Sequence, residues 1–371
     1  MFSGKTRFLR LQLRIIALAA ALLSSASAQS PQNQGSPQNN SAAPPGSENP
    51  MSLPPRTSQP PASVQQPEAA PAQPPQGNES GPAISPAPND EQGRFVFKKQ
   101  VQEVVLHATV VDETGKMITS LDRSAFTVYQ NGQPETVTSF RREDVPVAIG
   151  IVIDNSGSML DKRAEVSKAV VNLIRASNPQ DEVFVVNFGQ TPYLDQDFTS
   201  DVNLLQAALR QTSTRGSTAL YDAVVASNAH LRNNPRLDKK VLLVITDGQD
   251  NMSRETLQDA LRKLQSNKGA VLYAIGLMDS GEGMSRSGRD ALEDLATSTG
   301  GAAYFPQRVE DVDAITRAVA HDIRSQYTLT YNPGGAIGKG YQNIHVEARG
   351  TGRTRLTVRT RTGYYPGETM R

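Results

Sequence analysis

The rhythm of apolar positions changes along the chain. Val101 to Asp112 is rich in β-branched residues, Thr114-Gly115 marks a turn, and Phe126 to Gln130 alternates before Asn131-Gly132. With Thr136 to Phe140 beyond it, that dipeptide predicts a hairpin. From Val147 the alternation gives way to continuous apolar runs at Val147 to Ile153, Val183 to Phe188, Val241 to Ile245 and Val271 to Ile275. Such runs predict strands buried on both faces, as parallel sheets require. Helical stretches lie between them, near Lys162 to Ala176, Val202 to Arg210, Ala219 to Leu231, Ser253 to Ser266 and Gly288 to Ser298. A last helix, Val309 to Ser325, precedes a second β-rich segment: Gln326 to Tyr331, Tyr341 to Ala348 and Arg353 to Thr362.

Strand–helix alternation predicts an α/β domain over 147–325, Rossmann-like and doubly wound around a mostly parallel sheet. The flanks, 94–146 and 326–371, each hold too few strands for a comfortable sheet of their own. A doubly wound domain commonly brings its termini together, so the flanks are expected to pair as one small β module. Phe126, Val128, Leu356 and Val358 are expected in its core.

Composition divides the 371 residues further. Lys5, Arg7, Arg10 and Arg14 precede the apolar run Ile15 to Leu23 and then Ala26-Ser27-Ala28, the form of a secretory signal peptide over 1–28. Nine apolar residues fall short of the roughly 20 needed to span hydrocarbon. The mature chain is expected to begin near Gln29, with no transmembrane segment, and to work outside the cytoplasm, periplasmic or secreted. Residues 29–93 hold 16 of the 24 prolines and almost no large apolar side chain, so they read as a disordered spacer. The absence of Cys excludes disulfides, thiolate nucleophiles and iron–sulfur clusters, and four scattered histidines argue against a transition-metal site. A near-neutral total, 38 Lys/Arg against 37 Asp/Glu, gives no global field for nucleic acid or a membrane surface.

Ligands of an open α/β sheet bind beyond the carboxyl ends of its strands. The first run ends in Asp154-Asn155-Ser156-Gly157-Ser158-Met159, and the run at Val241 to Ile245 ends in Thr246-Asp247-Gly248. If the first turn is locally extended, the side chains of Asp154, Ser156 and Ser158 project to one side. Between the two lies Arg215-Gly216-Ser217-Thr218, opening a helix. Asp154, Ser156, Ser158, Thr218 and Asp247 make an all-oxygen set of two carboxylates and three hydroxyls. That chemistry suits a hard divalent cation, Mg²⁺ first and Mn²⁺ or Ca²⁺ next, with a coordination position left open for an incoming carboxylate.

At these five residues the chain resembles the von Willebrand factor A family, whose metal-ion-dependent adhesion site reads Asp-x-Ser-x-Ser, then a Thr, then an Asp. The resemblance covers Val147 to about Ser325 and implies a Rossmann-like fold with a divalent cation at its top face, completed by Asp or Glu of a protein partner. Phe126, Val128 and Asn131-Gly132, with the ending Thr362-Gly363-Tyr364-Tyr365-Pro366, look like the exported bacterial proteins called acidobacterial-type VWFA-related. No insertion like the integrin specificity loop and no clear second metal site is seen, although Asp161 and Asp250 lie near the five in sequence.

Other signals are weaker. Asp195 and Asp197 have the look of a general acid–base pair, but Thr191-Pro192 and Phe198 beside them favour an edge strand with its polar face in water. A haloacid dehalogenase-type phosphatase needs a second Asp two residues after the first, where this chain has Ser156; the expectation is a binding protein, not an enzyme. Residues 147–327 carry 19 Lys/Arg against 23 Asp/Glu, while 328–371 carry 7 against 2. Arg353, Arg355, Arg359 and Arg361 would share one face of a strand, with Leu356 and Val358 on the other. As an alternative function that face holds a polyanion or envelope polymer and the metal is only structural; it could equally hold the acidic α/β domain of its own chain.

Overall fold

Three of the four continuous apolar runs become strands buried at every residue, and the fourth is buried beyond its first position. A computed structural model describes residues 103–142, 144–210, 216–234, 236–277, 284–334, 338–350 and 355–367. The signal-type segment 1–28 and the spacer 29–93 lie outside the described residues.

In chain order the N-terminal flank gives β1 (Val104–Val111), β2 (Phe126–Gln130), β3 (Gln133–Glu135) and β4 (Val137–Arg141). The central region runs β5 (Val147–Asp154), α1 (Arg163–Arg175), β6 (Glu182–Phe188), β7 (Pro192–Thr199), α2 (Val202–Arg210), α3 (Leu220–Asn233) and β8 (Lys239–Thr246). It continues with α4 (Leu257–Leu264), β9 (Val271–Gly276), α5 (Arg286–Thr299), β10 (Ala303–Tyr304) and α6 (Val312–Arg324). The C-terminal flank adds β11 (Tyr327–Tyr331), β12 (Gln342–Ala348), β13 (Thr357–Arg359) and β14 (Gly363–Tyr364).

The central sheet has the order β10-β9-β8-β5-β6-β7, parallel except for β7, which closes one edge antiparallel to β6. Because side chains alternate across a strand, the sheet feeds two cores. Ile149, Ile151 and Ile153 of β5 pack with α1, α2 and α6; Ala148 and Val152 pack with α3, α4 and α5 on the opposite face. Gly150 lies where only hydrogen fits: a methyl there would stand 2.7 Å from Leu242 and closer still to the Phe184 ring. The first strand, β5, has β6 on one side and β8 on the other, so the order reverses between β5 and β8. That switch point opens a crevice at their carboxyl ends.

The two flanks build one β module of two four-stranded sheets, β13-β1-β11-β4 and β14-β12-β2-β3. Each sheet mixes strands from both flanks. β1 pairs with β11 and β13, and β12 lies along β2 from Ile344↔Gln130 to Ala348↔Phe126. Phe126 and Val128 are buried between the sheets, and Leu356 and Val358 pack against them. Asn131 and Gly132 adopt φ of 51° and 80°, the left-handed pair that a tight two-residue hairpin demands. The hairpin partner is the short β3, Gln133–Glu135, and not Thr136 to Phe140. Pro134 confines β3 to the sheet edge, and the chain breaks at Thr136 and crosses to the other sheet as β4.

Candidate metal centre

Asp154 ends β5 with no solvent exposure. Its Oδ1 accepts the Ser156 N–H at 2.8 Å and its Oδ2 accepts the Thr246 hydroxyl at 2.6 Å. The next residues do not stay extended. Gly157–Met159 form a 3₁₀ turn that drives the Met159 side chain, fully buried, into the core beneath. The turn still gathers the two serines, Ser156 Oγ and Ser158 Oγ standing 3.2 Å apart. Ser158 Oγ then donates to Asp247 Oδ1 at 2.8 Å, linking the loop after β5 to the loop after β8.

Thr218 arrives from the turn that opens α3. Its N–H donates to Asn251 Oδ1 at 2.9 Å and its carbonyl accepts the Asn251 N–H at 3.0 Å, a reciprocal clamp onto the β8 loop. Ser156, Ser158 and Thr218 line a cleft of about 580 Å³ with Gly248, Gln249, Asp250 and Asn251. A methyl on Gly248 would stand 3.3 Å from Thr218 Oγ1 and 3.9 Å from Asp154 Oδ2. The bare glycine therefore keeps the approach between these two donors clear.

Burial pushes the Asp154 carboxyl above the usual carboxylate range; the Thr246 and Ser156 hydrogen bonds pull it down, and the nearby Asp247 charge pushes it up again. Burial wins, so the Asp154 charge is poorly compensated by the protein alone. A cation beside it would supply what is missing. Among the described residues no three His, Cys, Asp or Glu side chains gather as a metal cluster. The donors here are instead two carboxylates and three hydroxyls, and oxygen-only donors fit Mg²⁺, Mn²⁺ or Ca²⁺.

Residues 149–249 match the family model of the von Willebrand factor type A domain. This stretch is an A domain. No curated protein matches the chain. Among solved structures, proximal thread matrix protein 1 from the mussel byssus, with a zinc-occupied MIDAS motif, is 19% identical at a TM-score of 0.43. That alignment covers 53% of this chain and 50% of the mussel one, so the chain spans about half of that protein. A von Willebrand factor type A protein from Catenulispora acidiphila is 13% identical, with a TM-score of 0.42 over 74% of this chain and 76% of that one. BatB from Bacteroides thetaiotaomicron is 17% identical, with a TM-score of 0.39 over 48% and 97%.

Around the A-domain cleft, Lys162, Thr246, Gly248 and Asn251 escaped the sequence reading. Lys162 Nζ lies 2.6 Å from Asp247 Oδ2. Thr246 had a usable signal, since a polar residue at the end of a wholly buried strand must find a hydrogen-bond partner. Asp250 lines the cleft, but its carboxylate accepts the Tyr221 N–H and the Ser253 hydroxyl; Asp161 is exposed. Asp195 and Asp197 lie on the edge strand β7, where Asp195 accepts from Asn187 at 2.6 Å and Asp197 meets His230 at 2.8 Å.

Among the described residues, Arg355, Arg359 and Arg361 do not form one open face. Arg353 lies outside the described residues, and Arg355 is exposed. Arg359 pairs with the buried Asp322 of α6, and Arg361, 6% exposed, donates to the carbonyls of Ser266 and Asn267 beyond α4. Strand β13 ends at Arg359, so the alternation that would have kept Arg361 in line stops there. These two side chains hold the A domain of their own chain. No helix among the described residues is long and apolar enough to cross a membrane.

Proposed function

We propose that the A domain binds a divalent cation, Mg²⁺ in the first instance, through Asp154, Ser156, Ser158, Thr218 and Asp247, and uses it to capture a protein partner through an Asp or Glu side chain. The observation that carries this reading is that Ser156, Ser158 and Thr218 line the switch-point cleft, with Asp247 bonded to Ser158 and Asp154 bonded to the Ser156 N–H beside it. Two hydroxyls and one carboxylate are linked in series by Ser156–Ser158 and Ser158–Asp247 contacts, and Asp154 lies buried below. When bound, such a cation is a Lewis acid that exchanges water for carboxylate at its open position. The chain's own residues hold the donors in place and keep the approach clear. The role is binding rather than catalysis, and export through the N-terminal segment would place it outside the cytoplasm.

The test is a calorimetric and thermal-shift titration of the full chain with MgCl₂. At a free ion concentration 100 times its dissociation constant the folded state gains about 2.7 kcal/mol. Asp154→Ala should abolish the gain. Capture of a partner from envelope extracts should then need Mg²⁺, fail in EDTA and weaken with Thr218→Ala. Capture indifferent to both would refute the adhesion mechanism, and an unchanged melting curve with no heat of binding would refute the cation.

A further inference from the structure

Lys162 is the residue just before α1, and its side chain is 12% exposed. Its ammonium sits on Asp247 Oδ2, while Ser158 Oγ occupies Oδ1 of the same carboxylate. One of the two anionic donors is thus already matched by a cation of the chain. The neighbouring Arg163, 5% exposed, donates to Asn187 Oδ1 and lies within electrostatic range of Asp154. Its larger charge partner is Asp195 of the edge strand, so Lys162 is the cation in direct contact with a candidate donor. A plain pair of carboxylates would neutralise a divalent ion, whereas here the Lys162 ammonium already offsets the charge of Asp247.

We propose that Lys162 sets the selectivity of the cleft: seated on Asp247, it lowers the affinity for the divalent cation and reserves the open position for an anionic ligand over water or a neutral carbonyl. The inference rests on the cation reading above. Its logic is electrostatic. An ammonium seated on a donor of a dication, at the effective dielectric of a partly buried site, weakens binding by at least about tenfold. The same field strengthens the attraction for a carboxylate arriving at the open position.

The experiment compares the full-length wild type, Lys162→Met and Lys162→Arg, each titrated with MgCl₂ by calorimetry, alone and with sodium acetate as the anionic probe at matched ionic strength. Lys162→Met removes the charge and keeps the stem, and should bind Mg²⁺ at least tenfold tighter. Lys162→Arg keeps the charge and should stay within about threefold of wild type. Acetate should tighten Mg²⁺ binding to the wild type and to Lys162→Arg, and lose most of that effect in Lys162→Met. Equal or weaker Mg²⁺ binding by Lys162→Met, with the wild type binding, would overturn the inference and leave Lys162 as a clasp that merely positions Asp247. Absence of Mg²⁺ binding in all three would overturn the cation reading with it. Should Lys162→Met fail to fold by circular dichroism, Lys162→Gln carries the same expectation and the same refutation.

Discussion

Arg361 is the sharpest place to ask whether the C-terminal arginines bind a polymer or hold the molecule together. Its Nη2 donates to Ser266 O at 3.0 Å and its Nη1 to Asn267 O at 3.1 Å, with Gly269 O at the margin, 3.5 Å away. Two charge-assisted hydrogen bonds at about 1.5–3 kcal/mol each make their loss cost about 3–6 kcal/mol. Burial opposes this, lowering the guanidinium to about 10. That depression corresponds to about 3 kcal/mol, which removal of the charge returns. Deleting the packed stem adds a further 1–2 kcal/mol or so. The balance for Arg361→Ala is a loss of about 1–5 kcal/mol, read as a lower urea midpoint at pH 7. Arg361→Met, which keeps most of the stem, should lose less. Arg355→Ala, at an exposed position, should stay within about 0.5 kcal/mol of wild type. If Arg361→Ala and Arg355→Ala are equally stable, and both lose affinity for a polyanion such as heparin, the structural assignment is wrong and the binding face is restored.

Two further outcomes follow from the geometry. Gly248→Ala should change stability by less than about 1 kcal/mol, because its backbone lies outside the left-handed region. It should weaken Mg²⁺ binding about tenfold by placing a methyl between Thr218 and Asp154, and unchanged calorimetric affinity would contradict it. Lys239 is 5% exposed at the start of β8, donates to the Ile323 carbonyl, and is lowered by burial from 10.5 to about 8. The folded state holds this proton less tightly than the unfolded chain. The stability Lys239 contributes is therefore complete above about pH 10.5 and lost as pH falls through about 8. The unfolding free energy of wild type minus Lys239→Met should rise by about 3 kcal/mol across that window, and a pH-independent difference would contradict it.

Much of the architecture was legible because long periodic segments leave little choice. Val202 to Arg210 reads as a helix and is one to the residue, and the four apolar runs fill the middle of the sheet. What failed was short or depended on distant partners. The two-residue β10 has no period to read, and it exists because Ala303 and Tyr304 pair with Ala274 and Ile275. Thr136 to Phe140 was expected as the strand that follows the Asn131-Gly132 turn, yet Gln133–Glu135 takes the place beside β2 and Val137–Arg141 pairs with β11 in the other sheet. Charge alone does not report burial either. Arg359 looked like its exposed neighbours, and only the placement of Asp322 on α6, held also by the Thr109 hydroxyl at 2.7 Å, shows it as half of an internal pair.

The candidate centre divides along the same line. Its five proposed donors were chosen by type and order, because an oxygen-rich motif at a strand end leaves a trace in sequence that a strand neighbour does not. Their convergence was expected from an extended turn and arises instead from a 3₁₀ turn pinned by Met159, the residue in the motif with no chemistry of its own. An apolar anchor thus determines where two hydroxyls point. Lys162 shows the converse. As a residue type at the start of a helix it carries no message, and its placement on Asp247 emerges only when the loop after β5 folds against the loop after β8. The sequence therefore names the donors of such a site, while the net charge that decides what they bind is a property of the assembled fold.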